Sequence, residues 1–168
     1  HPDHTVISYV NTTAATKALT DIVVTSGNAM QIVNALPKEE KIVFGPDRNL
    51  GGYINAVTGR DMVLWNGACH VHEKFSLEGI LKLKQEHPDA KVLVHPECKE
   101  SVVKVADKVG STAVLLKFCQ EDSATEFIVV TESGILHKMR QACPQKTFLP
   151  APPEDNCGGC NECDYMRL

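Results

Sequence analysis

Short runs rich in β-branched residues recur at residues 5–10, 22–25, 42–44, 62–64, 91–94 and 127–130, and stretches with helical spacing, such as 75–86 and 97–109, follow several of them. The runs are continuously apolar rather than alternating, as expected of parallel strands covered by helices on both faces. This alternation predicts an α/β fold with parallel sheets, each lying inside a three-layer α/β/α unit.

Sliding the chain against itself by 86 residues places His1-Pro2-Asp3 on His87-Pro88-Asp89. At the same offset Val6 meets Val92, Tyr9 meets His95, Asn11 meets Glu97, Asp21 meets Asp107, Val23 meets Val109, and Thr25-Ser26 meets Ser111-Thr112. A register that does not slip predicts two copies of one unit. The boundary is expected within residues 69–90, with the 75–86 helix as the connection, giving units 1–75 and 76–168. Ligands of open α/β sheets collect beyond the carboxyl ends of the strands, which is where the pattern puts Tyr9, Asn11, His95 and Glu97. Ser26 and Thr112 each follow a strand and are expected to open a helical segment, where backbone N–H groups favour an anion.

Composition narrows the chemistry. The chain has 168 residues, 43% apolar and 23% charged, which is ordinary for a globular protein. Its formal net charge of −4 is accompanied by no basic cluster, which argues against a nucleic-acid partner. No apolar run is long enough for a membrane span and no secretory leader is visible, so a soluble, internal protein acting on small molecules is expected. Seven cysteines are an odd set, and in a reducing compartment thiols serve metals or catalysis more often than bridges.

Cys157, Cys160 and Cys163 have C-x2-C-x2-C spacing, which lets three thiols converge on one metal or cluster. Zinc would require a fourth protein ligand, and His137, Cys143 and Cys69 are candidates without diagnostic spacing. Cys69 follows the 62–64 run, and Gly67 permits a tight turn that would expose its thiol; a cysteine between Trp65 and His72 also reads as a packed residue. His95-Pro96-Glu97 offers a proton-transfer pair at a strand end, or a solvated His-Glu pair.

Taken together, Tyr9-Val10-Asn11, Thr25-Ser26-Gly27-Asn28-Ala29, Gly45-Pro46-Asp47-Arg48-Asn49-Leu50-Gly51, Trp65-x-Gly67-x-Cys69-x-Val71-His72, His95-Pro96-Glu97 and Gly110-Ser111-Thr112 resemble successive motifs of the quinolinate synthase family. The resemblance covers residues 9–166. It implies three similar α/β domains about a pseudo-threefold axis, with a central active site and a 4Fe-4S cluster held by one cysteine from each domain. This chain corresponds to the second and third domains, and the first, absent from it, would be supplied in cis or in trans. By resemblance Cys69 and Cys163 are cluster ligands. Tyr9, Val10, Asn11, Ser26, His95, Pro96, Glu97, Ser111 and Thr112 would bind substrate, with Tyr9, His95 and Glu97 as the catalytic residues. Cys157 and Cys160 are left over, as a redox pair or as spare thiols. The implied reaction condenses iminoaspartate with dihydroxyacetone phosphate to quinolinate, in the cytoplasmic de novo synthesis of NAD. The competing reading is a non-catalytic regulatory module that binds zinc or an iron-sulfur group.

Overall fold

The computed structural model describes residues 1–154 and 162–163. The chain forms two compact units, His1–Cys69 and His70–Leu168. In the first, strands β1 (Thr5–Tyr9), β2 (Ile22–Val24), β3 (Ile42–Phe44) and β4 (Val63–Leu64) are joined by helices α1 (Ala14–Lys17), α2 (Ala29–Ala35) and α3 (Arg48–Thr58). The second begins with a 3₁₀ turn, His72–Lys74, and helix α4 (Leu77–Glu86). Strands β5 (Lys91–Val94), β6 (Lys108–Val109), β7 (Glu126–Val130) and β8 (Thr147–Pro150) follow, joined by α5 (Glu100–Val103), α6 (Thr112–Glu121) and α7 (Ile135–Ala142). Both sheets are four-stranded and parallel, ordered β2-β1-β3-β4 and β6-β5-β7-β8, with flanking helices in a three-layer α/β/α arrangement.

The internal repeat is visible in the strand pairing. Ile7 lies opposite Ile22, and Leu93, 86 positions later, lies opposite Lys108. Helices α1 and α5 keep the same offset. So does a carboxylate: Asp21 Oδ2 accepts from the Val6 amide at 2.8 Å, and Asp107 Oδ2 from the Val92 amide at 2.7 Å. The third strand moves by one position, since Ile7 faces Phe44 but Leu93 faces Val129, and the fourth recovers it, with Phe44 facing Leu64 and Val129 facing Pro150.

The helix expected over residues 97–109 does not form. Only the four residues of α5 are helical, and the chain then straightens into β6, where Val109 pairs with Val94. Ladder hydrogen bonds to a buried neighbour outweigh the local helical spacing. Strand β8 was not anticipated from pattern either; it is an edge strand, where its terminal Pro150 is tolerated.

Each unit has its own core. Ile7, Val24, Phe44, Leu50 and Ile54 are buried together in the first, and Leu93, Leu115, Phe127, Val129 and Met139 in the second. Burying side chains of this size contributes about 1.5–3 kcal/mol apiece. Ile128 and Val130, which alternate with Phe127 and Val129 along β7, are also fully buried, and α4 packs on that strand. The continuous apolar strand sequence thus reflects cover on both faces. Among the described residues no helix is long and apolar enough to cross a membrane.

Candidate functional site

In the second unit the polar residues that interrupt the core gather just beyond the carboxyl ends of β5 and β7. His95 directly follows β5, and its backbone amide donates to Val130 O at 3.1 Å, which extends the ladder by one residue. The chain then turns, with the Cys98 amide donating to His95 O at 3.0 Å. Pro96, whose φ is fixed by its ring, lies in this turn and brings Glu97 back toward the sheet. His95 and Glu97 are 3% and 4% exposed, so neither is the solvated pair that a bare His-Pro-Glu sequence allows.

A third side chain completes the group. The His72 ring stacks on His95 with centroids 4.6 Å apart and planes 23° from parallel. Its Nδ1 lies 3.1 Å from Glu97 Oε2, and its Nε2 lies 3.0 Å from Thr131 Oγ1, the residue after β7. All four are buried. Burial pushes the His95 imidazole down to about 4; the neighbouring His72 adds to this and Glu97 opposes it. His95 is therefore neutral near pH 7. Its Nδ1 accepts from the Glu97 amide at 3.4 Å, which leaves the ring proton on Nε2. A neutral imidazole beside a histidine–carboxylate contact can donate, accept or pass a proton.

Ser111 is also buried and caps α6, its Oγ accepting from the Val114 amide at 3.4 Å, so that Thr112 opens the helix as expected. Ser26 does not match it. Helix α2 begins three residues later, and Ser26 lies in a turn in which Asn28 Oδ1 accepts from the Thr25 amide at 2.7 Å. The Asn28 side chain is thus turned back to close the turn, and α2 is only seven residues long. The helix start expected at Ser26 is displaced for that reason.

In the first unit Tyr9 ends β1, its amide donating to Pro46 O at 3.3 Å, and Val10 continues the pairing by donating to Val24 O at 2.8 Å. Asn11 is exposed at the same end of the sheet. Cys69 closes the loop after β4 as a half-buried free thiol. That loop is held by the segment after β3: the Arg48 amide donates to Gly67 O at 2.8 Å, and Asp47 Oδ2 accepts from the Cys69 amide at 2.6 Å. Two glycines of this segment, Gly45 and Gly51, have a packing reason. A Cβ on Gly45 would come within 2.3 Å of Trp65 Cβ, and one on Gly51 within 2.6 Å of Leu64 Cδ2.

Of the other thiols, Cys163 is a half-buried free thiol, whereas Cys98, Cys119 and Cys143 are buried. Cys119 and Cys143 belong to the second unit's core, and burial pushes the Cys119 thiol up to about 11, far from the thiolate a metal requires. Cys143, buried in that core with its thiol donating to Cys119 O at 3.7 Å, is removed from the zinc candidates. Cys157 and Cys160 lie outside the described residues. His72, Thr131 and Asp47 were not singled out from the sequence as site residues. Thr131 follows a parallel strand, and Asp47 precedes a helix as an N-cap residue, so both carried a local signal; the pairing of His72 with Glu97 spans 25 residues and carried none.

The family model described as quinolinate synthetase A protein matches residues 1–168. The chain is 55% identical over its whole length to a quinolinate synthase of Nostoc punctiforme and to one of Thermosynechococcus vestitus, covering 52% and 53% of them. It is 54% identical, again over its whole length, to a quinolinate synthase of Synechococcus, of which it covers 52%. The chain thus spans about half the length of the curated relatives it matches. A match along every residue of the chain, with its motifs on strand ends and in the loops that follow them, means that the chain belongs to the quinolinate synthetase A protein family.

Proposed function

We propose that this chain is the portion of a cytoplasmic quinolinate synthase that carries its proton-transfer group and two of three cluster ligands. The reaction condenses iminoaspartate with dihydroxyacetone phosphate, releasing phosphate and two waters as the pyridine ring closes. The observation that carries the reading is the buried His72, His95 and Glu97 group beyond the ends of β5 and β7, in a chain that matches the family throughout. Buried titratable groups so arranged are costly to a fold, and active sites are where they concentrate.

The residues present suit an iron-sulfur group. Cys69 and Cys163 are free thiols with partial solvent access, soft donors of the kind iron-sulfur clusters use, and Cys69 sits on a loop fixed by hydrogen bonds. A third ligand would come from a domain outside this chain, in cis or in trans. When bound, a 4Fe-4S cluster with three cysteine ligands supplies an open iron, a Lewis acid for a substrate oxygen.

The chain's own residues supply the rest. His95, Pro96 and Glu97 offer strand-end contacts to substrate after β5, as Tyr9, Val10 and Asn11 do at the end of β1. Ser26, Ser111 and Thr112 contribute hydroxyl and amide donors for carboxylate or phosphate. Neutral His95 presents an N–H at Nε2 and hydrogen-bonds a developing oxyanion without adding positive charge. Glu97, with His72 against its Oε2, takes and returns protons during tautomerisation, cyclisation and dehydration. Tyr9 is the remaining proton donor.

The test is quinolinate formation by the full-length protein, reconstituted anaerobically with iron and sulfide. His95→Ala and Glu97→Ala are expected to keep the cluster absorption and lose turnover by roughly 10²–10⁴-fold. Full turnover in both variants would remove the acid-base role.

A further inference from the structure

Asp47 is 3% exposed, and its carboxylate carries out two distinct tasks. Oδ1 accepts from the Asn49 amide at 2.7 Å and the Leu50 amide at 2.9 Å, which by itself is a complete N-cap for α3. Oδ2 accepts from the Cys69 amide at 2.6 Å, 22 residues further along the chain. A cap needs only one oxygen. Serine and asparagine cap helices about as well as aspartate, so helix formation does not explain a carboxylate here.

The second unit shows what the turn alone requires. Glu132 follows β7 as Asp47 follows β3, and its Oε2 accepts from the Gly134 amide at 2.9 Å, matching the Asp47 to Asn49 bond. That contact again uses one oxygen. The additional grip on Cys69 is reinforced by Arg48, whose amide donates to Gly67 O and whose Nη1 donates to Asn66 Oδ1, each at 2.8 Å. The two residues after Gly45-Pro46 thus hold the side chain of Asn66 and the backbone of Gly67 and Cys69.

We propose that Asp47 is a positioning residue for Cys69: its second carboxylate oxygen fixes the Cys69 amide, and so presents the thiolate to the iron-sulfur cluster in one place. The inference rests on the reading of Cys69 as a cluster ligand. Ordering a loop at the moment of metal binding costs conformational entropy for every residue fixed. Asp47 removes that cost in advance, because a buried bond from an amide to a carboxylate is stronger than one between neutral groups.

The test compares full-length wild-type protein with Asp47→Ser, Asp47→Asn and Cys69→Ser, each reconstituted anaerobically. Serine keeps the α3 cap but is too short to reach Cys69, and asparagine has one acceptor oxygen for two tasks. Three quantities are read: the rate of iron loss to a chelator, the alkylation rate of Cys69 against that of Cys163 in the apoprotein, and apoprotein thermal unfolding. Asp47→Ser is expected to lose iron about ten-fold faster or more, with Cys69 alkylation accelerated, Cys163 alkylation unchanged, and unfolding close to wild type. Asp47→Asn should fall between. A cluster retained in Cys69→Ser overturns the ligand reading itself, and the present inference with it. A cluster lost in Cys69→Ser but released at the wild-type rate by Asp47→Ser overturns the inference alone. Should Asp47→Ser unfold early, Asp47→Asn decides, and wild-type iron loss and alkylation in that variant overturn the positioning role.

Discussion

The imidazole of His95 stacks on that of His72 at 4.6 Å, with Glu97 against the Nδ1 of His72, so three titratable side chains share one buried site. Burial lowers His95 from 6.5 to about 4, and this links the site to stability. A folded-state value below the unfolded one means that the unfolded chain binds the extra proton. The stability it contributes is complete above about pH 6.5 and is lost as pH falls from there toward 4. Denaturant midpoints should therefore fall across that window in the wild type, and His95→Gln, which cannot titrate, should show a shallower slope. An unchanged slope in His95→Gln would place the titration elsewhere.

His72 is expected to matter for turnover although it was not anticipated as a site residue. His72→Ala leaves Glu97 buried without the imidazole at its Oε2, and should lower turnover while costing about 1–3 kcal/mol of stability. Thr131→Val keeps the volume but removes the hydroxyl beside His72 Nε2, and should lower turnover less. Steady-state rates and unfolding midpoints of both variants check this. Wild-type turnover in His72→Ala would make His72 a packing residue only.

The two units should respond alike to equivalent changes. Asp21→Ala and Asp107→Ala each remove one carboxylate from a strand amide, and each should cost roughly 0.5–1.5 kcal/mol. Hydrogen exchange should accelerate at Val6 in the first variant and at Val92 in the second. Acceleration at neither amide would deny these bonds their part in the repeat.

Much of the fold was legible because parallel strands covered on two faces leave continuous apolar runs, as at Val92-Leu93-Val94 and Phe127-Ile128-Val129-Val130. Strands of two residues such as Lys108–Val109 leave no such run, and their existence depends on the neighbour they pair with. In the site, His95 and Glu97 were legible because the repeat located a strand end. Their burial was not, since it depends on Pro96 turning the chain back and on His72 arriving from a segment ahead of α4. The helix start was not legible at Ser26: its offset matches Thr112, but Asn28 Oδ1 accepts from the Thr25 amide in a turn that precedes α2, which begins at Ala29.

Gly45→Ala should disturb the loop that carries Cys69. The added methyl would sit 2.3 Å from Trp65 Cβ and 3.3 Å from Trp65 Cα, so side-chain rotation cannot relieve it and the backbone must move. Trp65 is the single tryptophan, so its fluorescence reports the shift directly, and a cost of about 1–3 kcal/mol is expected. An unchanged spectrum and midpoint would contradict the packing described for this loop.

The most direct test of the account is to measure iron, sulfide and quinolinate together in the anaerobically reconstituted full-length protein, for the wild type, Cys69→Ser and Cys163→Ser. The account predicts about four iron and four sulfide per polypeptide with quinolinate formation in the wild type, and the loss of both in each variant, because alkoxide is a poor substitute for thiolate on iron. Stoichiometric zinc without sulfide in the wild type, or undiminished quinolinate formation in either variant, would contradict it.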